Sequence, residues 1–352
     1  MDVLALYLPQ FHPIPENDGW WGRGFTEWTN VARARPLFRG HVQPHLPADL
    51  GFYDLRVPEA REAQADLAAS HGVTGFCYWH YWFGGRRLLQ RPLEEVVATG
   101  RPDFPFCVAW ANQTWSGIWH GAPGTVLMEQ TYPGPDDDAK HFAYLRAAFE
   151  DPRYITVAGR PVLFVYQPGD LPEPARFVER WQKMAHDAGL GGLYLVASLG
   201  ESEYRTPVED GFDASVHYRF PFVRTTGARV REHLLAAGLS RGPRRYPYPD
   251  RPVDPPAPPG GGRRFPSVYP NWDNTPRLGR RGMVATGATP ARFGVQVRRA
   301  LELASANPPD EQVVVIKSWN EWAEGNYLEP DAEFGTGRLE ALRREVADFG
   351  AT

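Results

Sequence analysis

Short apolar runs rich in Val, Ile, Phe and Tyr recur along the whole chain, and many are separated by stretches with helical periodicity. The runs predict strands at about residues 3–7, 75–79, 106–110, 162–166, 193–197, 214–217, 265–268 and 313–318. Residues 58–71 open on Pro58 at a first-turn position and carry Ala and Leu at helical spacing, which predicts a helix. Residues 136–149 begin with three aspartates, suited to the positive end of a helix dipole. Helices are also predicted over 172–188, 290–307 and 334–350, whereas the stretches after strands two, five and six carry no clear signal. Eight strands alternating with helices over this length predict an α/β fold, a single (β/α)8 TIM-type barrel with long loops at the C-terminal face. An open dinucleotide-binding sheet fits less well, because no G-x-G-x-x-G follows the first strand. On this reading residues 1–352 form one barrel domain. Residues 238–264, dense in Pro, Gly and Arg, predict a long surface loop before strand seven, either a plain insertion or a substrate lid.

Composition narrows the partners. The 352 residues are 42% hydrophobic and 23% charged, with 42 acidic against 38 basic side chains and a net charge of −4. No strong field favours nucleic acid or an anionic membrane. The two cysteines, Cys77 and Cys107, lie in apolar runs and read as buried reduced thiols. The N-terminus has no basic region followed by a long apolar one, and no stretch approaches the ~18–20 apolar residues of a membrane span. A cytoplasmic protein without an integral membrane segment is expected; the oligomeric state is not indicated.

The aromatic load points to a ligand. Of the 12 tryptophans, Trp79, Trp110 and Trp319 fall at predicted strand ends, while Trp82, Trp115, Trp119, Trp272 and Trp322 follow shortly after such ends. Trp20, Trp21 and Trp28 occupy the long segment after strand one, and Trp181 alone falls on a predicted helix. In a barrel the loops after the strands converge on one face, so these indoles gather at one mouth. Each could simply plug the barrel top. Together with Asn and carboxylates they suggest stacking against the C–H faces of sugars.

Chemistry is concentrated after the last strand, in Lys317-Ser318-Trp319-Asn320-Glu321-Trp322-Ala323-Glu324-Gly325-Asn326-Tyr327-Leu328-Glu329-Pro330. Glu321 and Glu324, three residues apart in a turn, can face one cavity. Glycoside cleavage needs such a pair: one group protonates the leaving oxygen and the other assists attack at the anomeric carbon. Proximity and burial among indoles would keep one of them protonated near neutrality.

The chain resembles the WbsX-type proteins of polysaccharide biosynthesis loci, a glycoside hydrolase family 99-like group. The resemblance runs nearly end to end. It is carried by Tyr7-Leu8-Pro9-Gln10-Phe11-His12-Pro13, Gly24-Phe25-Thr26-Glu27-Trp28-Thr29-Asn30, Gln43-Pro44-His45-Leu46-Pro47, Gly75-Phe76-Cys77-Tyr78-Trp79-His80-Tyr81-Trp82-Phe83, Trp110-Ala111-Asn112, Trp272-Asp273-Asn274-Thr275 and Ser318-Trp319-Asn320-Glu321-Trp322-Ala323-Glu324-Gly325. It implies a (β/α)8 fold and, from hydrolase relatives that are endo-acting on α-mannosides, a retaining endo-glycosidase or transglycosidase on a microbial polysaccharide or oligosaccharide. Glu321 would be the base toward the sugar 2-hydroxyl, giving an anhydrosugar intermediate. Glu324 would protonate the leaving oxygen and later activate water. A covalent carboxylate nucleophile is the competing scheme. No cofactor is implied. Tyr7, Glu27, Trp28, Tyr78, His80, Trp82, Trp110, Asn112, Trp115, Tyr166, His217, Trp272, Asn320 and Trp322 are expected to line the sugar site. One departure stands out: the family often has Trp-Ala-Asn-Glu-Asn-Trp where this chain has Trp110-Ala111-Asn112-Gln113-Thr114-Trp115.

Weaker signals keep two other readings open, a glycosyltransferase of O-antigen or capsular polysaccharide synthesis and a non-catalytic glycan-binding protein. Asp136-Asp137-Asp138 matches the Asp-x-Asp pattern of metal-dependent sugar-nucleotide transferases, although carboxylates are favoured at a helix start in any case. Gly335-Thr336-Gly337 lies where barrels often bind phosphate, with too few glycines to claim it. His41 and His45, with His12, invite a metal reading, but no third ligand is convincingly spaced. No metal is expected.

Overall fold

The structure, a computed structural model, describes every residue except 118–124, 200–203, 205, 219, 221, 223–224, 237–240, 252, 255–260 and 352. Its centre is a ring of eight parallel strands: β1 (Asp2–Tyr7), β2 (Gly75–Phe83), β3 (Phe106–Trp110), β4 (Arg160–Val165), β5 (Tyr194–Leu199), β6 (Ala214–His217), β7 (Arg263–Phe265 and Ser267–Val268) and β8 (Val313–Ile316). Neighbours in the sequence pair in parallel from β1 to β6, and β1 also pairs with β8. Closure depends on β7. Pro266, which has no N–H to donate, splits it in two. The first piece pairs with β6 and the second with β8, while the Pro266 carbonyl accepts from the Val315 N–H at 2.9 Å. The ring is therefore complete and has no open edge, as the (β/α)8 reading requires.

The expected helices form at Pro58–Ala69, Pro135–Phe149, Pro174–Asp187, Pro290–Ala304 and Gly337–Gly350. Two more, Arg91–Thr99 and Thr226–Ala236, follow β2 and β6, and short helices Pro15–Trp21 and Glu27–Arg33 lie in the long segment after β1. No helix among the described residues is long and apolar enough to cross a membrane. Cys77 and Cys107 are buried, unoxidised and opposite each other on β2 and β3.

Strand parity decides which aromatics reach the mouth. Side chains alternate along a strand. On β2, Trp79 points inward and its indole meets Glu321 beyond β8, so its neighbours Tyr78 and His80 point out to the helices. His80 Nε2 accordingly lies 2.8 Å from Nε2 of His141, on the Pro135–Phe149 helix, and Trp82 stacks on the same imidazole at 4.6 Å.

The reading of residues 238–264 as a surface loop needs correction. Although some of its residues are undescribed, Arg244–Pro247 is a strand that pairs in parallel with Met283–Thr286 outside the barrel. Tyr246 and Tyr248 are buried, the latter packing against Phe220. Alternating tyrosines carried the strand signal, masked by the surrounding Pro, Gly and Arg.

Candidate active site

The segment after β8 folds as a tight hairpin: Asn320–Glu321 pairs antiparallel with Asn326–Tyr327 around a 3-10 turn, Trp322–Glu324. Ser318 fixes its base, its hydroxyl accepting from the Glu321 N–H at 3.0 Å and donating to the Asn326 carbonyl at 2.6 Å. Gly325 closes the turn with φ of 60°, and a Cβ there would lie 2.8 Å from the Asp273 backbone nitrogen, so only glycine fits. The Asp273 N–H donates to the Glu324 carbonyl at 2.6 Å.

This hairpin presents Glu321 and Glu324 to one buried cluster; they are 5% and 6% exposed. Lys317, from the end of β8, places Nζ 3.3 Å from Glu321 Oε2 and 3.6 Å from Glu324 Oε2, which bounds the separation of those oxygens at about 7 Å. Trp79 donates its indole N–H to Glu321 Oε1 at 2.9 Å. Arg277 forks between two acids, with Nη1 2.7 Å from Glu324 Oε1 and Nη2 2.6 Å from Glu27 Oε1. Glu27, fully buried at the start of its helix, also accepts the Ala323 N–H at 3.1 Å and so ties the turn to the segment after β1.

The two carboxyls are driven apart in proton affinity. Burial alone would raise Glu321, but the Lys317 ammonium, hydrogen bonding to Glu324, Arg277 and the Trp79 indole outweigh it and hold it down to about 2. Burial and the neighbouring Glu321 charge push Glu324 up to about 8, against Lys317 and Arg277. At neutral pH the pair is one carboxylate and one carboxylic acid, a division suited to acid–base work.

The remaining expected residues divide sharply. Glu27, Tyr166 and Trp272 gather round the pair. Trp272 lies under Lys317, its ring centroid 5.7 Å from Nζ, and Tyr166 packs edge-on to Trp79 at 5.3 Å. His217 sits half-buried at the end of β6. Trp115 is half-buried and packs edge-on against Tyr81. The others are engaged elsewhere. Tyr7 donates to Gln64 at 2.6 Å on the helix side of β1, and Tyr78 packs beside it at 4.5 Å. His80 and Trp82 face His141, and Trp110 packs edge-on to the same ring at 4.9 Å. Asn112 spends its amide on the Gln167 backbone and Tyr132. Asn320 clamps both the N–H and the carbonyl of Leu8. Trp28 donates to the Tyr53 carbonyl at 2.8 Å, and Trp322 donates to Glu329 at 2.6 Å and stacks on Tyr327 at 3.8 Å. The expectation of an accessible face on Trp28, Trp82 and Trp322 is thus corrected: they are 9%, 5% and 1% exposed. Trp119 lies outside the described residues.

Sequence reasoning missed Lys317, Arg277 and Trp79 as site residues. It also missed a brace behind the turn: Asp273 accepts from His41 Nε2 at 2.6 Å and from Gln43 at 2.7 Å. Because the Leu37 N–H occupies His41 Nδ1, Nε2 carries the proton and the imidazole is a hydrogen-bond donor. Asp137 and Asp138 are taken up by the Trp82 indole at 3.0 Å and Arg180 at 2.6 Å. The N–H groups of Glu333 and Phe334, just before Gly335, both serve the Asp331 carboxylate.

Comparison with known proteins agrees with this architecture. The family model described as Glycosyltransferase WbsX matches residues 3–342. The WxcX proteins of Xanthomonas campestris pv. campestris strains B100 and ATCC 33913 are 40% identical to the chain over 355 residues, covering 98% of it. The chain spans about half of their length, 49%. Among solved structures, the GH99 endo-alpha-mannosidase from Bacteroides thetaiotaomicron aligns over 99% of this chain and 97% of its own, with a TM-score of 0.57 at 16% identity. A glycoside hydrolase-like protein aligns over 98% and 93%, with a TM-score of 0.60 at 13% identity. Those identities speak to the fold, whereas the match along nearly the whole sequence speaks to descent: the chain belongs to the WbsX family.

Proposed function

We propose that the chain is a carbohydrate-active enzyme, a retaining endo-type glycosidase or transglycosidase acting on a microbial polysaccharide or oligosaccharide through Glu321 and Glu324. The observation that carries the reading is the buried pair itself: two carboxyls around one ammonium, one held ionised and the other protonated. In the anhydrosugar scheme the Glu321 carboxylate takes the proton of the 2-hydroxyl as O2 attacks C1. The C1–O bond breaks, and Glu324 gives its proton to the leaving oxygen. Glu324 then takes a proton from water, or from an acceptor sugar hydroxyl, as that oxygen opens the ring at C1, and Glu321 returns its proton to O2. A low pKa makes Glu321 a weak base and suits equally the covalent scheme, in which its carboxylate attacks C1 directly. A 2-deoxy substrate separates the two, since it supports only the covalent route.

Transfer to a sugar hydroxyl rather than to water would reconcile this chemistry with the glycosyltransferase description of the family. A nucleotide-sugar mechanism draws less support, because Asp138, one of the two carboxylates of the Asp136-x-Asp138 pattern, already pairs with Arg180, and Asp137 between them serves Trp82. Digestion of a panel of microbial polysaccharides, with products sized by mass spectrometry, tests the proposal. Shortened or lengthened glycans that require both glutamates are expected. A panel left unchanged by the wild-type chain would refute it.

A further inference from the structure

Residues 241–281 carry nine arginines against three aspartates, in a chain whose overall charge is −4. The fold gathers several of them beside the candidate active site. The Arg244 N–H donates to the Gly282 carbonyl at 2.9 Å, which sets the strand Arg244–Pro247 against the 3-10 turn Gly279–Arg281 and its Arg280 and Arg281. Phe38, from the segment after β1 and next in sequence to Arg39, lies 4.5 Å beneath the Arg245 guanidinium. Short contacts connect this group to the acid. Phe38 stacks on His41 at 4.4 Å, His41 bonds Asp273, and the Asp273 N–H bonds the Glu324 carbonyl. Arg277, one turn before Arg280 and Arg281, donates directly to the Glu324 carboxyl group.

Arg39, Arg244, Arg280 and Arg281 are exposed. Several arginines elsewhere on the surface are neutralised, Arg56 by Asp54, Arg86 by Glu16, Arg91 by Glu95, Arg146 by Glu150 and Arg299 by Asp254. Others, such as Arg23, Arg101 and Arg343, are exposed without a carboxylate partner among the described residues. Among the described residues, none of Arg39, Arg244, Arg280 or Arg281 meets a carboxylate. Like charges collected without counter-charges gain nothing in folding, whereas a planar guanidinium matches a carboxylate or phosphate with two parallel hydrogen bonds. We propose that this cluster binds the anionic groups, carboxylate or phosphate, of an acidic saccharide whose chain continues into the Glu321–Glu324 site. The saccharide part rests on the function proposed above.

The test is affinity of the full chain carrying Glu324→Gln, so that turnover does not interfere, for an oligogalacturonate, a phosphorylated mannan oligosaccharide and a neutral mannan oligosaccharide. At least one anionic probe is expected to bind tenfold or more tighter than the neutral one, with the advantage shrinking as salt rises. Arg280→Glu with Arg281→Glu should abolish that advantage, and Arg280→Gln with Arg281→Gln should reduce it, so a folding failure of the first variant leaves the second decisive. Arg176→Glu, on a distant helix, should keep it. The two anionic probes distinguish carboxylate from phosphate. Equal affinity for all three probes, an equal loss in Arg176→Glu, or equally tight binding of single-stranded DNA would each overturn the proposal. Anionic binding without cleavage of any glycan would leave this inference standing and refute the proposed activity; cleavage indifferent to substrate charge would do the reverse.

Discussion

At the scale of single residues, the candidate site is a balance of charge among five side chains. Glu27, Glu321 and Glu324 share Lys317 and Arg277, and all five lie in or just under the barrel mouth. With Glu324 protonated the cluster is neutral, which is how it tolerates burial. Glu27 does not need to touch sugar to matter here. Its charge competes with Glu324 for Arg277, so Glu27→Gln frees the guanidinium for Glu324 and favours the ionised form of the acid. The basic limb of the pH–rate profile, set by Glu324 in the wild type, should therefore move to lower pH in Glu27→Gln. An unshifted limb would show that Glu27 acts otherwise. Stability carries the same signature. Glu324 has a raised folded-state pKa of about 8, against ~4.3 for a free glutamate, so the native state binds the extra proton. Its stabilising contribution is complete below the unfolded value and is lost as pH rises through the folded one. Glu324→Gln should consequently lose less stability than the wild type between pH 5 and pH 8 in chemical denaturation. Parallel curves would contradict the raised pKa.

At the scale of elements, the hairpin after β8 aims the pair, and its geometry depends on Gly325. Gly325→Ala adds a Cβ against the Asp273 backbone at a left-handed φ. It should cost about 1–3 kcal/mol of stability, the usual strain of such a position, measurable as a lowered denaturation midpoint, and should displace Glu324 from Arg277. A variant as stable and active as the wild type would refute the close approach. Much at this scale was legible beforehand. Apolar runs located all eight strands because parallel barrel strands are buried on both faces. The same property hid parity: in Gly75–Phe83 both faces are aromatic, so nothing in the run distinguishes Trp79, which reaches Glu321, from Tyr78, His80 and Trp82, which pack on helices. The Glu321–Glu324 spacing was readable because both lie in one turn. Arg277 and Glu27 meet across 250 residues, and a contact set by barrel closure leaves no local trace. The partner of His41 was hidden for the same reason, since Asp273 lies 232 residues away.

At the scale of the whole molecule, the closed ring brings the segments after β1, β7 and β8 to one rim, and the proposed chemistry there needs only protons, carboxylates and ordered hydroxyls. Chelators should leave any glycan-cleaving activity intact. Nucleotide sugars should show no micromolar, metal-dependent binding by calorimetry, because in the only Asp-x-Asp stretch, Asp136-Asp137-Asp138, the second carboxylate of the pair is held by Arg180 and the middle one by Trp82. Such binding would shift the account to a nucleotide-sugar transferase. The most direct test of the central claim is the leaving-group dependence of Glu324→Gln. With a natural glycan, whose leaving alcohol needs protonation, turnover should fall by roughly 10² or more, the usual cost of losing a general acid. With an activated aryl glycoside, whose leaving group departs unaided, the loss should be much smaller. Equal losses on both substrates, or no loss on either, would contradict the assignment of Glu324 as the acid of a glycoside-cleaving pair.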